Sequence, residues 1–322
     1  MLSSIKQEKG IFTIGFYNVE NLFDTENDPS TDDHDFTAQG KYEWGYKKYY
    51  EKIKNLSTVI SKLGNEYSKH RPAIVGLVEV ENSKVLEDLT SAINSENTHY
   101  GFVHYDSPDD RGIDVALLYN RSHFELLTSE TYPLYLEKEN GTRDYTRDIL
   151  VVKGYLNGEL IHIIVNHWPS RREGTERSEP KRIEAAKLAS FIVEEIQSNN
   201  FDPKIIIMGD FNDNPKDKSV KEHLMTENLY NPMESLLDKN SSGTLTFNKK
   251  WLLFDQIIFT KNFMAKEKGK HSFMHAEIYN KDWLKVSRGK LEGSPFRTYI
   301  GPWYQGGFSD HFPVYAYFKK EV

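Results

Sequence analysis

Nine polar residues stand at or near the ends of apolar runs: Asn18, Glu20, Glu79, His167, Asp210, Asn212, Asp255, Asp310 and His311. They supply carboxylates, amides and two imidazoles. A set this rich in oxygen suits a hard divalent cation, one or two Mg²⁺ or Mn²⁺ ions that keep several waters. Zinc would call for more histidine or thiolate, and the chain has no cysteine. Adjacent Asp310 and His311 can serve different partners, the carboxylate a metal and the imidazole a substrate. Asp255, within an apolar run, needs a partner, and a hydrogen bond to His311 would orient the ring and favour its protonated form. Such parts serve metal-assisted hydrolysis of a phosphoester, with Asp210, aided by Asn212, as the water-activating group.

Strands must deliver these groups. Residues 204–215, KIIIMGDFNDNP, read as a buried strand that stops at Gly209 and Asp210. Asp210 and Asn212 are two apart, so an extended backbone sends both side chains to one face, and Gly209 lets the backbone approach a bound group closely. Residues 11–17 repeat the pattern before Asn18 and Glu20, and 72–80 before Glu79. Strands are also expected over 99–103, 113–119, 251–260 and 314–318, with a hairpin of 146–156 and 160–165 turning at Asn157-Gly158. Helical spacing covers 44–63, stopped by Gly64, then 84–94 and 183–196.

The remaining segments read as loops. Residues 24–35 are acidic and turn-rich but lack the glycine and terminal glutamate of a calcium loop. Segment 170–182 holds five basic and three acidic residues, so Arg171 and Arg172 are either solvated or set against substrate phosphates. Arg111 and Asp114 are expected to form an ion pair. Residues 261–305 show no strong period and read as an excursion over one end of the domain. Trp168 or Trp303 could stack on bases.

With 322 residues and no linker-like stretch, a single domain over 1–322 is expected, with loop insertions near 24–43 and 261–305. A net charge of -7 excludes a strongly basic nucleic-acid surface but not a local basic strip from Arg147, Arg171, Arg172, Arg177 and Lys181. Without a long apolar stretch near the amino terminus, no signal peptide or membrane span is expected, which favours a cytoplasmic monomer.

The ordered set FYNVEN, GLVEVEN, NHWPSRR, MGDFND, LLFDQIIF and GFSDHFPV, spanning residues 16–314, resembles the endonuclease/exonuclease/phosphatase superfamily, whose fold is deoxyribonuclease-I-like. The resemblance implies an α/β protein, a four-layer α/β/β/α sandwich of two packed, mostly antiparallel sheets flanked by helices. It implies Asn18, Glu79 and Asp310 as metal-site residues, Glu79 the main ligand, and Glu20 as a direct or water-mediated one. It implies Asp210 and Asn212 as the water- and phosphate-positioning pair, His311 with Asp255 as the His–Asp pair, and His167 and Arg147 near the substrate phosphate. The expected activity is a Mg²⁺- or Mn²⁺-dependent DNA endonuclease or exonuclease. The alternatives are hydrolysis of a small or lipid-linked phosphate and, more remotely, phosphate binding without turnover.

Overall fold

The computed structural model describes residues 7–237 and 243–322. Residues 1–6, part of the stretch in which no signal peptide is expected, lie outside the described residues. Twelve strands build two sheets. They are β1 (Ile11–Leu22), β2 (Ile74–Val80), β3 (Tyr100–His104), β4 (Asp114–Asn120), β5 (Phe124–Tyr132), β6 (Ile149–Leu156), β7 (Glu159–His167), β8 (Lys204–Asp210), β9 (Leu229–Tyr230), β10 (Asp255–Thr260), β11 (His271–Ile278) and β12 (Val314–Lys320). The first sheet has the order β11-β12-β1-β2-β4-β3 and the second β9-β10-β8-β7-β6-β5. Each sheet is antiparallel except for one central parallel pair, β1 with β2 and β7 with β8.

Three apolar interfaces separate four layers. Helices α1 (Tyr46–Lys62) and α2 (Ser83–Ile93) bury Ile53, Leu56, Leu86 and Leu89 against the outer face of the first sheet. Phe12, Ile14 and Phe16 of β1 meet Ile206 and Met208 of β8 between the sheets. On the far side Ile205 and Ile207 of β8 pack on Ala185, Ala189 and Ile192 of α3 (Thr175–Asn199). The period-2 alternation of β8 thus faces two cores, which is why the strand reads as continuously apolar.

This topology positions the site. Parallel neighbours end at the same edge, so the carboxyl ends of β1, β2, β7 and β8 bring Asn18, Glu79, His167 and Asp210 to one edge of the sandwich. Antiparallel neighbours start where these strands end. Asp255 opens β10 opposite Asp210, and Asp310 and His311 lie just before β12, the antiparallel neighbour of β1.

Several expectations change. Asp255 opens its strand rather than interrupting one. The helix expected at 183 starts at Thr175, with Pro180 inside it and Arg182 fully buried against Asp213 at 2.8 Å. The excursion at 261–305 contains edge strand β11, and the edge strand β5 has no counterpart in the sequence reading. Among the described residues no helix is long and apolar enough to cross a membrane.

Candidate active site

The same local device ends three of the contributing segments. The Asn18 side chain accepts the backbone N–H of Glu20 (3.0 Å), Asp210 that of Asn212 (2.9 Å), and the Ser309 hydroxyl that of His311 (3.1 Å). Each turns the chain sharply at the mouth of the site. Glu20 (φ 51°), Asn21 (49°), Asn212 (50°) and Glu79 (64°) accordingly sit in the left-handed region, a cost retained where a site over-determines the backbone. The extended geometry expected for Asp210 and Asn212 therefore does not hold. Asn212 turns away and donates its amide to the Trp168 carbonyl at 2.9 Å. Gly209 likewise meets protein rather than a ligand, since a Cβ there would collide with the Asn166 backbone of the adjacent parallel strand.

A buried cluster of titratable groups forms where the two sheets meet. Asn18 Nδ2 donates to Asp210 Oδ2 at 3.0 Å, across the sheets. His167 Nε2 and His311 Nε2 each stand 3.9 Å from the same oxygen. His311 Nδ1 lies 2.7 Å from Asp255 Oδ2. Burial pushes the Asp210 carboxyl up to about 7, against the lowering effect of His311. Burial alone would lower His311, but Asp255 and then Asp210 and Asp310 hold its imidazole well above the ordinary range, so it is a cation at neutral pH. Burial and the nearby Arg147 and Arg111 push His167 well below its usual value, and this ring is neutral. Asp255 Oδ1 and His167 Nδ1 are buried without a hydrogen-bond partner, capacity that a water or substrate atom can fill.

Donor atoms of Asp210, Asp255 and His311 lie within 4.8 Å of one another. A protonated imidazole held by a carboxylate is nevertheless a poor metal ligand, so this trio suits proton transfer better than it suits an ion. Metal-binding chemistry lies beside it. Glu79 and Asp310 are more open, their side chains 13% and 29% exposed, and Glu20 is buried next to them. Glu79 Oε2 accepts the Asn21 N–H at 2.8 Å, and Glu20 Oε2 that of Thr298 at 2.7 Å. Burial and then the charge of Asp310 raise the Glu20 carboxyl, while His311, Arg297 and Lys52 outweigh burial and lower Asp310. Crowded hard oxygen donors fit a divalent cation.

The structure assigns different partners to the arginines. Arg147 Nη1 meets Asp109 at 3.0 Å and its Nη2 donates to the Trp168 carbonyl at 2.8 Å. Arg171 is tied to Asp213, Asp217 and the Asn212 carbonyl. Arg177 pairs with Glu139, and Lys181 with Asp144 and Glu173. Of the basic strip Arg172 alone makes no hydrogen bond or ion pair among the described residues, and Arg111 is its strongest electrostatic neighbour. Asp114 pairs with His104 at 3.1 Å and not with Arg111, which instead donates to Asn21 Oδ1 and stands 3.9 Å from Glu79. Trp168 is 1% exposed and cannot stack on a base, whereas Trp303 is 72% exposed.

Three participants were missed. Lys52 lies fully buried 3.8 Å from Glu20, and burial drops its pKa to about 8. Its place four residues before Leu56 on the apolar face of α1 was the available signal. Arg297 and Thr298, from the stretch without a period, left none.

A family profile described as the Endonuclease/Exonuclease/phosphatase family matches residues 13–320. No curated protein matches the chain. Among solved structures, D. rerio TDP2 complexed with single strand DNA product is 16% identical with a TM-score of 0.59, covering 97% of this chain and 100% of that one. An endonuclease/exonuclease/phosphatase family protein from Bacteroides thetaiotaomicron is 15% identical with a TM-score of 0.57, covering 98% of each chain. The human Nocturnin catalytic domain with bound sulfate anion is 14% identical with a TM-score of 0.57, covering 98% of this chain and 96% of that one. At such identities these likenesses establish the fold, and the profile match over nearly the whole length establishes the family. The chain belongs to the endonuclease/exonuclease/phosphatase family, whose members are divalent-metal-dependent enzymes that hydrolyse phosphoester bonds.

Proposed function

We propose that the protein is a single-domain, monomeric phosphodiesterase that uses Mg²⁺ or Mn²⁺ to cleave DNA. The observation that carries the reading is His311, pinned at 2.7 Å by Asp255 and facing Asp210, which the Asn18 amide holds from the opposite sheet. Glu79 is the main metal ligand in this reading, with Asp310, Glu20 and the Asn18 amide oxygen around it. A bound ion there supplies charge neutralisation at the phosphate and the leaving oxygen.

The chain's own groups do the rest. Asp210 takes a proton from a water whose oxygen bonds to phosphorus as the bond to the leaving oxygen breaks, and that oxygen takes a proton from solvent to depart as the alcohol. Cationic His311 donates to a non-bridging phosphate oxygen and stabilises charge that grows in the transition state. Neutral His167 and the second amide hydrogen of Asn212 orient the same phosphate, and Arg172 attracts it from the rim. Arg147 and Arg171, occupied by carboxylates, hold the loops that carry these groups.

A nucleic-acid substrate is supported by the fold shared with the TDP2 structure that carries single strand DNA product. One observation favours a second reading. Four of the five residues of the basic strip are neutralised by carboxylates, which reduces what is available to track a long duplex and favours a short strand or small phosphoester.

The test is hydrolysis of plasmid, single-stranded oligonucleotide, bis-p-nitrophenyl phosphate and an inositol polyphosphate with Mg²⁺ or Mn²⁺, by the natural protein, Asp210→Asn and His311→Ala. Cleavage of DNA that EDTA and both substitutions abolish is expected. Release of phosphate from the inositol compound with DNA left intact would replace the nuclease reading. Cleavage that survives both substitutions would remove the assigned roles.

A further inference from the structure

Two cations stand beside Glu20, and they differ in kind. Lys52 is fixed. Its side chain is fully buried, and its Nζ donates to Thr298 Oγ1 at 2.5 Å and the Phe308 carbonyl at 2.7 Å while standing 3.8 Å from Glu20. Arg297 is displaceable. Its side chain is 40% exposed, with Nη2 2.6 Å from Asp310 Oδ2 and Nε 3.4 Å from Glu20 Oε1. Its guanidinium thus spans two of the carboxylates assigned to the metal.

The backbone beneath Arg297 is held separately. Phe308 N donates to the Phe296 carbonyl at 2.6 Å, Gln305 N to that of Thr298 at 2.9 Å, and Thr298 N to Glu20 at 2.7 Å. The side chain can therefore move while its Cα stays. Space for it exists, because a cavity of about 130 Å³ adjoins Asp310 and Arg297 and is lined also by Leu245, Phe296 and Ile300.

A divalent cation bound to the same two carboxylates competes with the guanidinium for Asp310 Oδ2 and Glu20 Oε1. The ion takes the guanidinium's acceptors and repels its charge. Buried Lys52 cannot yield, so Arg297 must. The other acceptor arriving at this rim is the substrate phosphate, which an arginine fork matches in shape and charge.

We propose that Arg297 is a further substrate-binding residue with two positions: it bridges Asp310 and Glu20 in the metal-free protein and, displaced by the metal, turns to the substrate phosphate. The proposal rests on the metal-and-phosphate reading above and adds a distinct consequence. Removing the guanidinium removes a competitor of the ion and a ligand of the substrate, so the two affinities move in opposite directions.

The experiment is Mn²⁺ titration by calorimetry, with KM for bis-p-nitrophenyl phosphate at saturating Mn²⁺, on the natural protein, Arg297→Gln and Arg297→Lys. Arg297→Gln is expected to bind Mn²⁺ about three- to tenfold more tightly, the loss of its two partly exposed ion pairs, while its KM rises by a similar factor. Arg297→Lys, which keeps the charge without the fork, should fall between. Mn²⁺ affinity that is unchanged or weaker in Arg297→Gln, or a KM that does not rise, overturns the proposal. Failure of the natural protein to bind Mn²⁺ at all would instead overturn the metal-dependent reading on which it rests.

Discussion

Asp210 sits where two sheets exchange a hydrogen bond, and its environment separates it from an ordinary surface aspartate. Two donors, the Asn18 amide and the Asn212 N–H, fix its oxygens, and two imidazoles face one of them. Asp210→Asn keeps the volume and removes the proton acceptor. It should lower kcat by about 10²- to 10⁴-fold with little change in melting temperature, measured by steady-state kinetics and calorimetry. Asp255 acts through His311. Asp255→Asn should lower kcat by about tenfold or more while leaving Mn²⁺ affinity within about twofold, because Asp255 orients and charges the ring without joining the metal carboxylates. Most of these residues were legible in the sequence as polar types at the ends of apolar runs. Lys52 showed only as a lysine on the apolar face of α1 and Arg297 not at all, because their surroundings follow from burial and from contacts across more than 240 positions of chain, as between Lys52 and Thr298.

At the scale of elements, the parallel pairs β1–β2 and β7–β8 gather the site, and the loops at that edge are tied across the sheets. Asp109, from the loop before β4, meets Arg147, from the segment before β6, and Arg147 also holds the Trp168 carbonyl after β7. Both partners are buried, so Arg147→Ala strands an unpaired Asp109 and should cost about 3–5 kcal/mol in denaturant unfolding. Arg172→Ala, by contrast, should leave stability within about 0.5 kcal/mol and act on KM alone, since among the described residues its exposed side chain makes no hydrogen bond or ion pair. Central strands and helices α1 and α2 were readable because burial on one or both faces imposes a period. Edge strands β5 and β11 were not, because β5 is largely exposed or half-exposed along its length and β11 carries polar residues on its open side. The start of α3 was hidden by Pro180, which costs one backbone hydrogen bond early in a helix that the Arg182–Asp213 pair anchors.

For the whole molecule, charge and burial set the response to acid. His162 is pushed down to about 4 by burial and then by Lys153, and burial lowers His123 and His271 as well. These rings lie away from the active-site edge. Below pH ~6.5 the unfolded chain takes up protons that the folded chain refuses until lower pH, so stability present above that value falls as the pH drops towards about 4. Glu159, lowered because the His271 and Lys204 bonds outweigh its burial, adds a loss in the same direction below its unfolded value. His162→Gln should flatten the decline between pH 6.5 and 4 by on the order of 3 kcal/mol, read from urea unfolding across that range.

The central claim joins both sheets in one metal-dependent hydrolytic site, and plasmid nicking at neutral pH tests it most directly. Supercoiled DNA would be incubated with the natural protein and with Asp210→Asn, each with Mg²⁺, with Mn²⁺ and with EDTA. Nicking by the natural protein with either metal, abolished by EDTA and reduced at least about 100-fold by Asp210→Asn, is the predicted result. Intact plasmid under every condition would contradict the DNA substrate, and nicking that Asp210→Asn and EDTA leave unchanged would contradict the site itself.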